Sequence, residues 1–109
     1  MSIVPTNLTN VDQSLQNRFQ RLAAAWRVET AFVSSSSDLV AHPAFQEIVG
    51  MGASVIPLLL RELENSSGHW HRALRMITDV DPVPPEDRGD FEKAAQAWLR
   101  WGKEQGYEW

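Results

Sequence analysis

Residues 54–65 read SVIPLLLRELEN, and this stretch decides the fold. Apolar side chains occupy positions 55, 56, 58, 59, 60 and 63, and polar ones gather only at Arg61, Glu62 and Glu64. A helix that is apolar nearly all round belongs in the middle of a core. Pro57 falls in its first turn, where a missing N–H costs little, and Ser54 is placed to cap it. The surrounding chain must then supply helices or strands with apolar faces to cover it.

The neighbours on both sides read as helices. Downstream, the connection NSSG at 65–68 has the length that joins antiparallel neighbours. Trp70, Ala73, Leu74 and Ile77 then fall at i, i+3, i+4 and i+7, with Ser67 as the cap and Asp79 at the close. Asp tolerates the left-handed backbone that such a close requires. DVDPVPPEDRGD at 79–90 holds three prolines and five carboxylates and reads as a rigid acidic loop. Asp90 is placed to cap a last helix. Phe91, Ala94, Ala95, Trp98 and Gly102 form its inner face, Leu99 and Trp101 widen it, and Gly106 ends it.

Upstream, Pro43 suits a first helical position. Phe45, Ile48 and Val49 follow, and Gly50 or Gly52 stops the helix. Val11, Leu15, Phe19, Leu22 and Trp26 predict a first helix from Val11 to Glu29, capped by Asn10 with Gln13 three residues on. Residues 1–9 are expected to be flexible, and SSSSD at 34–38 to be a linker, because serines compete for backbone hydrogen bonds. Only RVETAFV at 27–33 competes as a strand, and it has no partner strand. The expected fold is all-α, about five helices packed as antiparallel pairs in a HEAT-like manner, with one domain over 10–109.

Composition limits the chemistry. The 109 residues include no cysteine, which removes disulfides, thiolate zinc sites and cysteine nucleophiles. The net charge of −4 is unfavourable for sequence-independent nucleic-acid binding, which depends on neutralising phosphates, and it suits a basic protein partner. The opening MSIVPTNLTN has no basic region followed by an apolar run, and Val55 to Leu60 is too short to span a bilayer. A soluble, cytoplasmic protein with no membrane association is expected.

From residue 42 onward, HPAFQEIVGMGASVIPLLLREL, W..AL..IT, DPVPPEDRG and AWLRWGKEQGY occur in order, and FQRLAAAWRVET lies at 19–30. This combination resembles a family of small, largely uncharacterised bacterial all-helical proteins. GASVIPLLLREL followed by AL..IT also resembles HEAT-type repeats, where one helix of each pair carries an Ile-Pro-Leu-Leu core. The resemblance implies a helical, HEAT-like scaffold and brings no activity with it. Relatives more often have Gly after IT, where this chain has Asp79. One or two such units do not make a solenoid, because stacked repeats are needed to bury their faces.

Several residues invite a functional reading. His69 and His71 flank Trp70, but helical residues two apart diverge by about 160°, since each advances about 100°. The two histidines are therefore expected to act separately, with His71 as a half-buried flank of Leu74, although His69 lies near the N-cap, where non-helical geometry would bring the two together. Zinc-binding helices place histidines four apart, and this chain has no such pair. His42 precedes Pro43 and suits a helix N-cap. Asp79, Asp81, Glu86, Asp87 and Asp90 lack the Gly and terminal Glu of an EF-hand loop. They read as a solvated negative edge that a basic partner would recognise. Arg72 and Arg75 share an outer helix face, with Glu62 and Glu64 available to pair with them.

Trp26, Trp70 and Trp98 fit core stripes, which leaves Trp101, Tyr107 and Trp109 as aromatic residues of hot-spot type. The sequence therefore points to a small protein–protein interaction module, a neutralising or regulatory partner such as an antitoxin-like component. Its expected partner-binding residues are Trp101, Tyr107, Trp109, His71, Arg72, Arg75, Asp81, Glu86 and Asp87. No catalytic, cofactor-binding or metal-binding residue is assigned, and self-association through the margin of the last helix is open. One alternative is a metal-dependent or acid–base enzyme built from His42, His69, His71 and the acidic loop. The other is a nucleic-acid-binding regulator using Arg61, Arg72 and Arg75.

Overall fold

The computed structural model describes residues 3–65 and 69–109. Among them are six α-helices and no strand: α1 (Ile3–Glu29), α2 (Ser36–Ala41), α3 (Pro43–Gly50), α4 (Ile56–Asn65), α5 (Trp70–Thr78) and α6 (Phe91–Glu104). Single 3₁₀ turns lie at Gly52–Val55 and Pro85–Asp87. The chain divides into two compact units, residues 1–48 and 49–109.

In the first unit, Phe19, Ala23, Trp26 and Thr30 form the buried stripe of α1 and the turn after it. The Trp26 indole N–H donates to the Leu39 carbonyl at 2.8 Å, and its ring meets Phe45 at 5.6 Å between centroids. One side chain thus ties α1 to both α2 and α3. α1 begins at Ile3, eight residues before the expected Val11. Pro5 sits within the first turn, where proline is tolerated, and nothing after it breaks the helix. Asn10 is consequently interior rather than a cap, and Gln13 reaches forward to Asn17 Oδ1 at 3.2 Å. The side chain of Val11 lies outside the described residues.

The serine-rich stretch is a helix start rather than a linker. Ser35 takes an extended backbone, and its Oγ accepts from the Asp38 N–H at 3.4 Å, so α2 begins at Ser36. The property that suits serine to loops also suits it to N-caps. The candidate strand is instead the end of α1 and a turn through residue 32. Thr30 Oγ1 donates to the Trp26 carbonyl there, and Val33 N–H donates to Thr30 O at 3.0 Å.

In the second unit α4 packs against both α5 and α6. Ile56, Leu58, Leu59, Leu60 and Leu63 are buried, as its all-round apolar character requires. Ser54 does not cap α4. It lies in the 3₁₀ turn that precedes it, and its hydroxyl donates to the Met51 carbonyl at 3.0 Å. Gly52, at φ 71°, makes the left-handed step after α3. Ser67 lies outside the described residues, and the N-cap position of α5 is His69, whose side chain makes no capping bond. Asp79 closes α5 in the left-handed region at φ 58°, its N–H donating to Arg75 O at 2.9 Å. Asp90 caps α6 by accepting from the Lys93 N–H at 3.1 Å.

Candidate functional site

The C-terminal aromatic edge is built by the way α6 ends. Gly106 adopts φ 86°. Tyr107 N–H donates to Gly102 O at 2.9 Å and Gly106 N–H to Lys103 O at 3.1 Å. These two bonds are the Schellman pattern, which brings the residue after the glycine back onto the last turn. Tyr107 accordingly stacks on Trp101 at 5.8 Å, and Trp101 meets Trp98 edge-on at 5.2 Å. Trp109 folds over Gly102, and its indole N–H donates to Glu64 Oε1 at 3.1 Å. Trp101, Tyr107 and Trp109 are half-buried, and each has an aromatic or carboxylate neighbour within its own unit.

The acidic loop is partly neutralised from inside. Asp81 Oδ1 accepts from Val83 N–H at 3.2 Å, and its Oδ2 lies 2.9 Å from Arg88 Nη2 and 3.9 Å from Arg75 Nη1. Lys93 Nζ is 3.9 Å from Asp87 Oδ1. Exposed pairs of this kind contribute about 0–1 kcal/mol, so they shape the loop more than they stabilise it. Glu86 is exposed, and Arg72 is half-buried on α5.

The structure corrects the expectation that the rings of His69 and His71 diverge. Their rings lie 6.4 Å apart with planes 25° from parallel, and each meets the Phe91 ring at 5.1 Å. The wheel argument applies only inside a helix, and His69 stands outside it at φ −96°, ψ 12°. Phe91, first residue of α6, supplies the third ring. Among the described residues no group of three His, Asp or Glu side chains is close enough to hold a metal ion.

Burial, reinforced by the positive charge of Arg72, lowers the His69 pKa below its ordinary 6.5. Folding therefore favours neutral His69. Its contribution is whole above about pH 6.5 and is lost as pH falls from there towards the depressed folded pKa, because the unfolded chain protonates first. Thermal midpoints measured across pH 5–8 should fall on acidification more steeply for the wild type than for His69→Gln. Parallel curves would mean that His69 carries none of this linkage.

His42 has both ring nitrogens engaged. Nδ1 accepts from the Ala44 N–H at 3.0 Å, which makes His42 the N-cap of α3, and Nε2 lies 2.8 Å from Glu29 Oε1. An acceptor Nδ1 requires the proton on Nε2, so this nitrogen donates to Glu29. With both nitrogens bound, the ring orders a helix junction and has no free lone pair for base chemistry. It belongs to the first unit, whereas His69 and His71 belong to the second.

One surface was missed by sequence reasoning. Phe32 is 103% exposed and Val28 77%, with Val33 beside them at the edge of exposure. The available signal was Val28, which falls opposite the Phe19–Ala23–Trp26 stripe at about 100° per residue, with an apolar Phe32 four residues on. Among the described residues no single helix is long and apolar enough to cross a membrane. α3 and the segment Gly52–Asn65 pass that measure only as a pair, bent by 106°. No protein-family model, curated protein or solved structure matches this chain.

Proposed function

We propose that this chain is a protein–protein interaction module on a HEAT-like helical scaffold, docking through the bend Val28–Phe32–Val33. The observation that carries the reading is the full exposure of Phe32 one turn beyond an exposed Val28. Leaving a Phe side chain in water forgoes about 1.5–3 kcal/mol of burial. Grouped apolar exposure of this kind marks interaction surfaces, where scattered single residues would not. Aromatic anchors also carry much of the energy of protein interfaces. Neither the enzyme nor the nucleic-acid alternative gives these side chains a reason to face solvent. The C-terminal edge uses its aromatic rings to finish α6.

The test compares tagged wild type with Phe32→Asp as baits in the native host, read by quantitative mass spectrometry. Phe32 is fully exposed, so the substitution should change stability by less than about 0.5 kcal/mol. A partner recovered by the wild type should be lost with the variant. Recovery of every partner equally by both baits would overturn the reading.

A further inference from the structure

The charge on the chain is unevenly placed. Residues 13–28 contain Arg18, Arg21 and Arg27 and no carboxylate, although the chain holds 14 Asp and Glu residues. Arg18 and Arg21 are exposed, and among the described residues neither is ion-paired. The buried stripe of α1 is Phe19, Ala23 and Trp26. At about 100° per residue, Arg21 and Val28 point away from that stripe and within about 20° of each other. At 1.5 Å per residue they are about 10 Å apart along the helix. Phe32 stands in the turn just beyond. The outer face of α1 is thus cationic towards its middle and carries Val28 near its C-terminal end, where the Glu29 carboxylate is already engaged by His42 Nε2 at 2.8 Å.

We propose that this face receives an acidic amphipathic segment of a partner protein. Its carboxylates would meet Arg18 and Arg21, and an apolar side chain would cover Val28 and Phe32. The proposal rests on the protein-binding reading above and adds the chemistry of the partner. Arginine suits the role because its planar fork binds a carboxylate bidentately. The order of charges and apolar groups also fixes the direction of the bound segment. Duplex DNA fits less well, because its phosphate backbone offers charge but no apolar side chain to cover Val28 and Phe32. A lipid surface fits less well too, because an interfacial helix inserts a broad apolar face, and among the described residues the apolar stripe Phe19, Ala23 and Trp26 is already buried.

A random peptide library displayed on phage is selected against the full chain. Enriched peptides are then synthesised and titrated against wild type, Phe32→Ala and Arg18→Gln/Arg21→Gln, with circular dichroism confirming that the variants are folded. The expected peptides carry carboxylates beside an apolar residue, and each variant weakens their binding about tenfold or more, equivalent to about 1.4 kcal/mol. Peptides that need Phe32 but show no acidic bias, or that ignore the arginine substitutions, would overturn the acidic partner and leave the docking surface standing. Enriched peptides indifferent to Phe32 would overturn both. Binding of phosphatidylglycerol vesicles or duplex DNA through Arg18 and Arg21, in place of acidic peptides, would assign the face to a lipid or nucleic-acid surface and overturn the proposal.

Discussion

Trp70→Ala should destabilise the second unit by about 3–5 kcal/mol, the range for truncating a buried aromatic. Trp70 is 1% exposed and is among the largest wholly buried side chains. It sits at the first position of α5, and Ala73 and Leu74 continue its stripe. Domains of this size are stable by about 5–15 kcal/mol, so the loss would take a large share of the margin. Thermal or urea unfolding, followed by far-ultraviolet circular dichroism, gives the measurement. His71→Ala is the informative control. His71 is half-buried and edges the Phe91 ring, and its loss should cost about 1 kcal/mol or less, as for side chains away from a packed core. If the histidine variant were the more damaging, GHWHR would be organised around its imidazoles and not around the tryptophan.

The same segment shows how far sequence could be read. Trp70, Leu74, Leu59 and Trp98 were legible because helical periodicity states which residues share a face, and burial follows from that. The pairing of His69 with His71 was legible only as an opening left by the N-cap position of His69. It depends on the backbone angles of one non-helical residue and on a ring from the start of another helix. The start of α1 lies eight residues ahead of the expected Val11 because asparagine is at home both as a cap and inside a helix, and propensity alone does not choose. The serine stretch failed for the same reason in the opposite direction. Phe32 escaped because it stands in a turn beyond α1, where helical periodicity no longer assigns a side chain to either face. The Trp101–Tyr107 contact was closer to hand. Gly106 was read as the helix stop, and a left-handed glycine there brings Tyr107 back over the last turn.

Gly102→Leu should cost about 3 kcal/mol, the upper part of the range for overpacking. A Cβ at this position would lie 2.7 Å from Leu60 Cδ1 and 3.0 Å from the Trp109 ring. Leu60 is wholly buried on α4 and has no solvent into which to swing, whereas Trp109 is half-buried and held by one indole bond to Glu64. The larger side chain should therefore expel the tail before it separates the helices. The Trp109 indole would lose its packing, and tryptophan fluorescence would shift to the red along with the loss of stability. Gly102→Ala should be milder, because alanine returns up to about 1 kcal/mol of helix propensity against the same contact. Leu60→Ala alone should cost about 2–5 kcal/mol. Combined with Gly102→Leu, it should cost less than the two losses added, since each change vacates or fills the same space. Strict additivity, or a Gly102→Leu protein as stable as the wild type, would mean that α4 and α6 do not meet at this residue. The packing of α6 would then have to rest on Trp98 and the alanines alone.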